Sequence, residues 1–267
     1  MKGKKRLCKN FCNAPHILFT LAVTLLLLLV QSCQVLETAH DIEVIDGDTF
    51  RYLGKTVRVI GIDAPETYSG SSKPVGEYGQ DAKQYLYWFV GNHEIIIEVK
   101  GMDNYGRTLA YVFGKDRNGK VYFYEASVTE LGYARPLFYS DNYVADYGKK
   151  IISAYRQAFE QRRGVYSKFD IAPILTKGSV NWLNYVGKIV FLEMNVTNVF
   201  KYSGVWYFSS DFAVAKLRDE EYHYIFDNFN LYDLRGRRVR FYGELWNDEG
   251  KPTILIRAPW EIVVVGN

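Results

Sequence analysis

The densest chemistry in the chain lies between Ile45 and Thr67, which reads IDGDTFRYLGKTVRVIGIDAPET. Two β-like runs sit inside it, residues 49–53 and 56–62, joined by a short turn at Gly54-Lys55. Asp46 and Asp48 precede the pair of runs, and Asp63 and Glu66 follow it. A hairpin brings its two outer ends together, so carboxylates distant in sequence are expected to meet at one edge of a sheet. Arg58 stands in Arg58-Val59-Ile60-Gly61-Ile62, a run too apolar to hold an isolated charge without an anion or a carboxylate beside it. Hard oxygen donors suit Ca²⁺ or Mg²⁺, and a guanidinium suits a phosphate, so the pattern is that of a metal-assisted phosphodiester site. Each half alone reads more blandly, Asp46-Gly47-Asp48-Thr49 as an Asx-type turn and Asp63-Ala64-Pro65-Glu66-Thr67 as a strand end. Their conjunction around Arg58, with a second motif downstream, carries the chemistry.

That second motif is Asp103-Asn104-Tyr105-Gly106-Arg107-Thr108-Leu109-Ala110-Tyr111, a turn through Tyr-Gly that delivers Arg107 at the start of a strand. Two arginines converging on a carboxylate-lined site match the charge that builds on a phosphorus centre. With these three stretches in order, the sequence resembles the staphylococcal nuclease (thermonuclease) family, whose signatures are the DGDT hairpin, an Arg followed by Asp-x-Pro-Glu at a strand end, and the Tyr-Gly-Arg turn. The resemblance runs from about Ile42 to about Ser167.

The resemblance implies an α+β, mainly β fold over residues 42–170, an OB-type five-stranded Greek-key barrel with packed helices. It implies one Ca²⁺ per nuclease domain, held by Asp48, Asp63 and the backbone carbonyl of Ala64, where the family usually has threonine. In that scheme Glu66 is the general base for an attacking water, and Arg58 and Arg107 bind the phosphate. Asp46 orients the loop behind the metal ligands, Thr49 supports a metal-bound water, and Tyr105 lies near the substrate phosphate. The implied activity is hydrolysis of phosphodiester bonds in single- or double-stranded DNA and in RNA, with no protein partner indicated. A reading from a different class is a catalytically weak SNase-like or OB module that binds nucleic acid or protein at the cell surface. Asp48, Asp63 and Glu66 together separate the two, because a binding scaffold does not need all three.

Several further elements must position these residues. Residues 76–92 read as a helix from Ala82, Tyr85, Leu86 and Phe89 at three- and four-residue spacing. Strands are expected over 94–99, 107–113 and 120–124, and helices over 124–131 and 144–163. Residues 68–75 read as a loop. The 22 tyrosines are mostly half-buried strand residues on this reading. His16, His40, His93 and His223 are scattered without metal spacing, so none is read as catalytic.

The first 33 residues form a targeting segment on the sequence pattern. Lys2, Lys4, Lys5, Arg6 and Lys9 precede an apolar run from Ile17 to Val30, 14 residues long, shorter than the roughly 20 that span a bilayer and suited to a secretory signal core. Val30-Gln31-Ser32-Cys33 resembles a bacterial lipoprotein box with Cys33 lipidated. Export is therefore expected, with a membrane anchor at the periplasmic or cell surface, cleavage by an ordinary signal peptidase and an uncleaved signal anchor being the alternatives. Cys8, Cys12 and Cys33 are the three cysteines, which leaves no disulfide to the folded part. The net charge of +3 belongs to this leader; removing its five basic residues leaves 28 basic against 30 acidic. Any grip on nucleic acid must then be local rather than a general basic field.

Residues 34–41 read as a linker, and Ile171-Ala172-Pro173 marks a boundary. Beyond it, residues 173–267 are dense in short β-like runs, at 189–198, 206–209, 212–217, 238–246 and 254–256. This segment is expected to form a second, OB-like β-barrel, resembling the accessory domain that follows some bacterial thermonuclease domains. Arg235, Arg237, Arg238 and Arg240 tempt as a strand-binding face, but the segment carries 11 basic and 11 acidic side chains. Packing against the nuclease domain is the favoured reading.

Overall fold

The computed structural model describes residues 42–68 and 73–266. The expected leader, its Cys33 lipidation site and the linker lie outside the described residues. No helix among the described residues is long and apolar enough to cross a membrane. Residues 42–267 form one compact unit, mixed α+β and mostly sheet.

The first sheet is built from local turn chemistry. Strand β1 (Ile42–Asp46) turns through Gly47-Asp48 into β2 (Thr49–Tyr52), and β2 turns through Leu53-Gly54 into β3 (Lys55–Val59). Leu53 and Gly54 both have positive φ, 48° and 74°, the backbone of the tight hairpin turns whose twist matches that of the strands. Strand β3 then pairs in parallel with β6 (Thr108–Lys115), which pairs antiparallel with β5 (Glu94–Met102) and with the short β7 (Val121–Phe123).

The run 56–62 is not one strand. Gly61 has φ +83° and diverts the chain, so β4 (Gly61–Asp63) leaves β6 and pairs with β8 (Arg135–Leu137). A Cβ at Gly61 would meet Ile151 Cδ1 at 2.9 Å, so glycine serves both the conformation and the close approach. Helix α1 (Gly79–Asn92) buries Ala82, Leu86 and Phe89, one stripe at helical spacing. Helix α2 (Tyr124–Glu130) packs beside α3 (Ala145–Glu160), which buries Ile151, Ala154, Tyr155 and Ala158.

The second sheet follows the order β11-β12-β13-β15-β14-β10-β9, with β16 on β14. Its strands are β9 (Ile174–Leu175), β10 (Ile189–Asn195), β11 (Asn198–Tyr202), β12 (Val205–Ser209) and β13 (Val214–Arg218), then β14 (Arg238–Asp248), β15 (Lys251–Ile256) and β16 (Ile262–Val264). Strand β14 pairs with β10 and β16 over its first part and with β15 over its last. The expected strand 189–198 divides into β10 and β11, and a short helix, α4 (Asp219–Ile225), follows β13. Of the four arginines at 235–240, Arg238 and Arg240 converge on the buried Glu193 across the β10–β14 ladder, Arg240 Nε at 2.6 Å. Those two charges are tied into the sheet.

Buried polar contacts join the two halves. Glu261, 1% exposed, accepts from Tyr166 Oη at 2.8 Å, from Arg135 Nη2 at 3.2 Å, and from Tyr155 Oη. It also accepts from the main-chain N–H of Arg257 at 2.6 Å and of Ala258 at 3.3 Å. One carboxylate therefore fastens the turn after β15 to α3, to β8 and to the turn carrying Tyr166, with its charge offset by Arg135.

Candidate active site

The tip of the β1–β2 hairpin carries the first two carboxylates. Gly47 is held close to α1, where a Cβ would meet Ala82 Cβ at 2.4 Å and Ala64 Cβ at 2.8 Å. Its carbonyl accepts from Tyr124 Oη at 2.6 Å. Asp48 is buried; its Oδ1 accepts from Thr49 Oγ1 at 2.9 Å and its Oδ2 from the Ala64 N–H at 2.8 Å. The Asp48 N–H is 3.3 Å from Asp46 Oδ1. Burial first, and then the Asp48 charge, push the Asp46 carboxyl up to about 7.

Arg58 lies opposite Thr49 in the β2–β3 ladder, beside that hairpin tip. Its Nη1 is 2.9 Å from Asp48 Oδ2 and its Nη2 is 3.4 Å from Asp63 Oδ1. Nη1 also donates to the carbonyls of Val59 at 2.7 Å and Ile62 at 3.2 Å. Burial opposes the guanidinium charge, but Asp48, Asp63 and Asp46 outweigh it and hold Arg58 above its ordinary value. One guanidinium thus spans the carboxylates of two separate motifs.

Asp63 is ringed by cations. Lys73 Nζ lies 2.6 Å from its Oδ1, and Arg257 Nη2 lies 3.1 Å from its Oδ2. Burial works against the Asp63 charge, yet Lys73, Arg257 and Arg58 prevail and hold it well below the usual carboxylate range. Lys73 also reaches Glu66 Oε1 at 3.5 Å. Glu66 is fixed through its backbone: its carbonyl accepts from the Gly76 N–H at 3.1 Å, and a Cβ at Gly79 would sit 2.4 Å from that oxygen. A cavity of about 20 Å³ opens here, lined by Asp63, Glu66, Lys73, Glu244, Trp246 and Arg257 among others. A larger hollow of about 670 Å³, around His93 and Asp116, contains none of the expected site residues; the titratable cluster marks the chemistry better than size does.

The structure brings Asp46, Asp48, Thr49, Arg58, Asp63, Ala64 and Glu66 into one neighbourhood. Arg107 is engaged elsewhere: its Nε pairs with Asp103 at 2.7 Å, and its guanidinium lies 5.5 Å from the Tyr105 ring centre. Among the described residues, no ion pair links Arg107 to the four carboxylates. Tyr105 is exposed. Lys73 and Arg257 were not singled out from sequence, although Arg257 between Ile256 and Ala258 is an isolated charge among apolar residues, as Arg58 is. Lys73 sits in a polar loop that gave no such contrast.

The donor set suits a hard divalent cation in kind. Asp48 and Asp63 offer anionic oxygens within the width of one guanidinium, and the Ala64 peptide touches Asp48. Asp46 adds a further carboxyl behind them, its Oδ1 3.3 Å from the Asp48 N–H. Among the described residues, no three His, Cys, Asp or Glu side chains already form a metal cage, and the Lys73 ammonium supplies charge on the Asp63–Glu66 side. The residues present fit such an ion once Lys73 yields that side and Arg58 gives up part of its place between Asp48 and Asp63.

Comparison with known proteins bears on the same region. A family model described as "Staphylococcal nuclease homologue" matches residues 56–168. The chain is 36% identical over 137 residues to a thermonuclease of Staphylococcus hyicus, a match spanning 49% of this chain and 76% of that protein. It is 35% identical over 105 residues to a thermonuclease of Staphylococcus intermedius, spanning 37% of this chain and 59% of that protein. An uncharacterised protein of Methanocaldococcus jannaschii is 29% identical over 150 residues, spanning 47% of this chain and 70% of that protein.

Proposed function

The chain belongs to the staphylococcal nuclease homologue family, and so to the nucleases; on that premise we propose that it is a calcium-dependent phosphodiesterase acting on DNA and RNA. The observation that carries the reading is Arg58 spanning Asp48 at 2.9 Å and Asp63 at 3.4 Å, which gathers both motif carboxylates around one phosphate-sized cation. Asp48, Asp63 and the Ala64 carbonyl would hold the calcium ion. When bound, the ion supplies Lewis-acid polarisation of a phosphate oxygen and lowers the pKa of a coordinated water.

The remaining roles fall to the chain itself. Glu66, mostly buried beside the cavity, takes a proton from the attacking water. Arg58 exchanges part of its carboxylate contact for the phosphate and meets the charge added at phosphorus. Arg107 is tethered to Asp103 in the free protein and joins the phosphate on substrate binding, with Tyr105 beside it. Asp46 and Thr49 hold the hairpin tip from behind through Asp48. The polypeptide would work outside the cytoplasm, exported by its N-terminal leader and anchored to a membrane through Cys33.

Hydrolysis of single-stranded DNA by residues 34–267, with calcium and then with a chelator, tests this directly. Calcium titration by calorimetry, without nucleic acid, supplies a second readout. Calcium-dependent cleavage with stoichiometric binding is the expected result. A folded protein that neither binds calcium nor cleaves with Ca²⁺, Mg²⁺ or Mn²⁺ would overturn the proposal.

A further inference from the structure

Arg257 comes from the C-terminal half, yet it ends at the nuclease carboxylates. It stands at the end of β15 with only 2% of its surface exposed, flanked by the buried Ile256 and Ala258. Its main-chain N–H donates to Glu261 at 2.6 Å, and Glu261 is itself fastened to Arg135 and Tyr166 of the nuclease half. The backbone of Arg257 is therefore fixed relative to β8, the strand that pairs with β4 and its terminal Asp63. From that fixed point the side chain reaches Asp63 Oδ2 with Nη2 at 3.1 Å and Glu221 Oε2 with Nη1 at 3.5 Å.

This arrangement carries a cost. Among the described residues, Arg257 Nε and Nη1 are buried without a hydrogen-bond partner, and unsatisfied buried donors are unfavourable. A buried ion pair kept for stability alone is commonly no better than apolar packing of the same volume. The contact made at this cost is with one oxygen of Asp63, while Lys73 and Arg58 address the other.

We infer that Arg257 is a positioning residue for the nuclease reaction: the C-terminal half pins Asp63 Oδ2 and so fixes the direction in which Oδ1 is presented. The inference rests on the reading of Asp63 as a cation ligand given above. Arg218 provides the contrast. It shares Glu221 with Arg257, Nη1 at 3.6 Å, and donates to the Phe138 carbonyl at 3.0 Å, but among the described residues it forms no ion pair with Asp63.

The test uses the chain from residue 34 onward as wild type, Arg257→Met, Arg257→Lys and Arg218→Met. Each is assayed for kcat and KM on single-stranded DNA, for calcium affinity by calorimetry, and for melting temperature. Arg257→Met should lose about tenfold in kcat at saturating calcium and weaken calcium binding by a similar factor, with KM for DNA little changed. Arg257→Lys keeps the charge on a shorter stem without the planar fork, and should recover part of both losses. Arg218→Met should lower the melting temperature without moving calcium affinity. Should Arg257→Met fail to fold, the lysine variant carries the test through its calcium affinity. Tighter calcium binding with kcat unchanged in the arginine variants would make Arg257 a mere neighbouring charge and overturn the inference. Equal calcium shifts in the Arg218 and Arg257 variants would reduce both to structural roles. If the wild type neither binds calcium nor cleaves, the reading of Asp63 falls and this inference with it; if it does both and the Arg257 variants match it, only this inference falls.

Discussion

Lys73 Nζ stands 2.6 Å from Asp63 Oδ1 and 3.5 Å from Glu66 Oε1, so one ammonium bridges the two carboxylates on either side of Pro65. Burial opposes its charge, but Asp63 holds the ammonium above its ordinary value. A divalent cation and this lysine therefore compete for the same oxygens. Lys73→Met is expected to tighten calcium binding about fivefold, on the order of 1 kcal/mol for one partly exposed charge. Calorimetric titration checks it, and weaker binding would show that Lys73 assists the ion.

Glu66→Gln preserves shape and hydrogen bonding while removing the base. The expected loss is roughly 10²–10⁴ in kcat, the range of positioned general bases. Because Glu66 is anchored by its main chain through Gly76 and Gly79, the melting temperature should hardly move. Normal turnover by that variant would take the general-base role away from Glu66.

Glu244 makes the stability depend on pH. Burial pushes its carboxyl up to about 7, against an ordinary 4.5. The native state then holds a proton that the unfolded chain releases between those values, so Glu244 contributes stability below pH 4.5 that is lost as pH rises through about 7. Asp63, held low, is ionised in both states over that window and adds no slope there, whereas Asp46, pushed up to about 7, and the buried Glu125, held well above its ordinary value, add slopes of the same sign that persist in the Glu244 variant. In chelator, urea melts from pH 4.5 to 7 should show stability falling with pH, and Glu244→Gln should flatten the slope by up to about 1.4 kcal/mol per pH unit. An unchanged slope would mean Glu244 is not the titrating group.

Gly47→Ala tests the hairpin tip. The added methyl would lie 2.4 Å from Ala82 Cβ and 2.8 Å from Ala64 Cβ, so either α1 or the Asp46–Asp48 turn must shift. Overpacking of this kind costs about 1–3 kcal/mol. Chemical denaturation gives the number; a neutral result would mean that the helix gives way freely.

Much of the site was legible because its signals are local. Asp48 and Arg58 belong to two adjoining hairpins and Asp63 follows five residues after Arg58, and an arginine in an apolar run already demanded a carboxylate. The main helices were legible from apolar spacing, with ends displaced by a few residues, such as Gly79 rather than Gly76 for the start of α1. The reading of 56–62 as one strand missed the diversion at Gly61, since glycine permits positive φ without requiring it. Asp48 does stand at the open end of the β2–β3 hairpin, beside the Thr49–Arg58 pair, and the same turn is also the tip of β1–β2. The short α4, DEEYHYI, is too acidic and brief to show a helical stripe. Arg257 was out of reach for a different reason: its partner lies 194 residues away, and pairings of that kind have no period to read.

The Glu261 carboxylate, with its five donors drawn from both halves, has a consequence for how such a polypeptide can be inherited. A tail with this attachment is not an interchangeable cassette. Recombination that replaced residues after 173 with an unrelated segment would leave Arg135, Tyr155 and Tyr166 without their acceptor and Asp63 without its arginine, so the tail cannot be exchanged alone with these contacts kept.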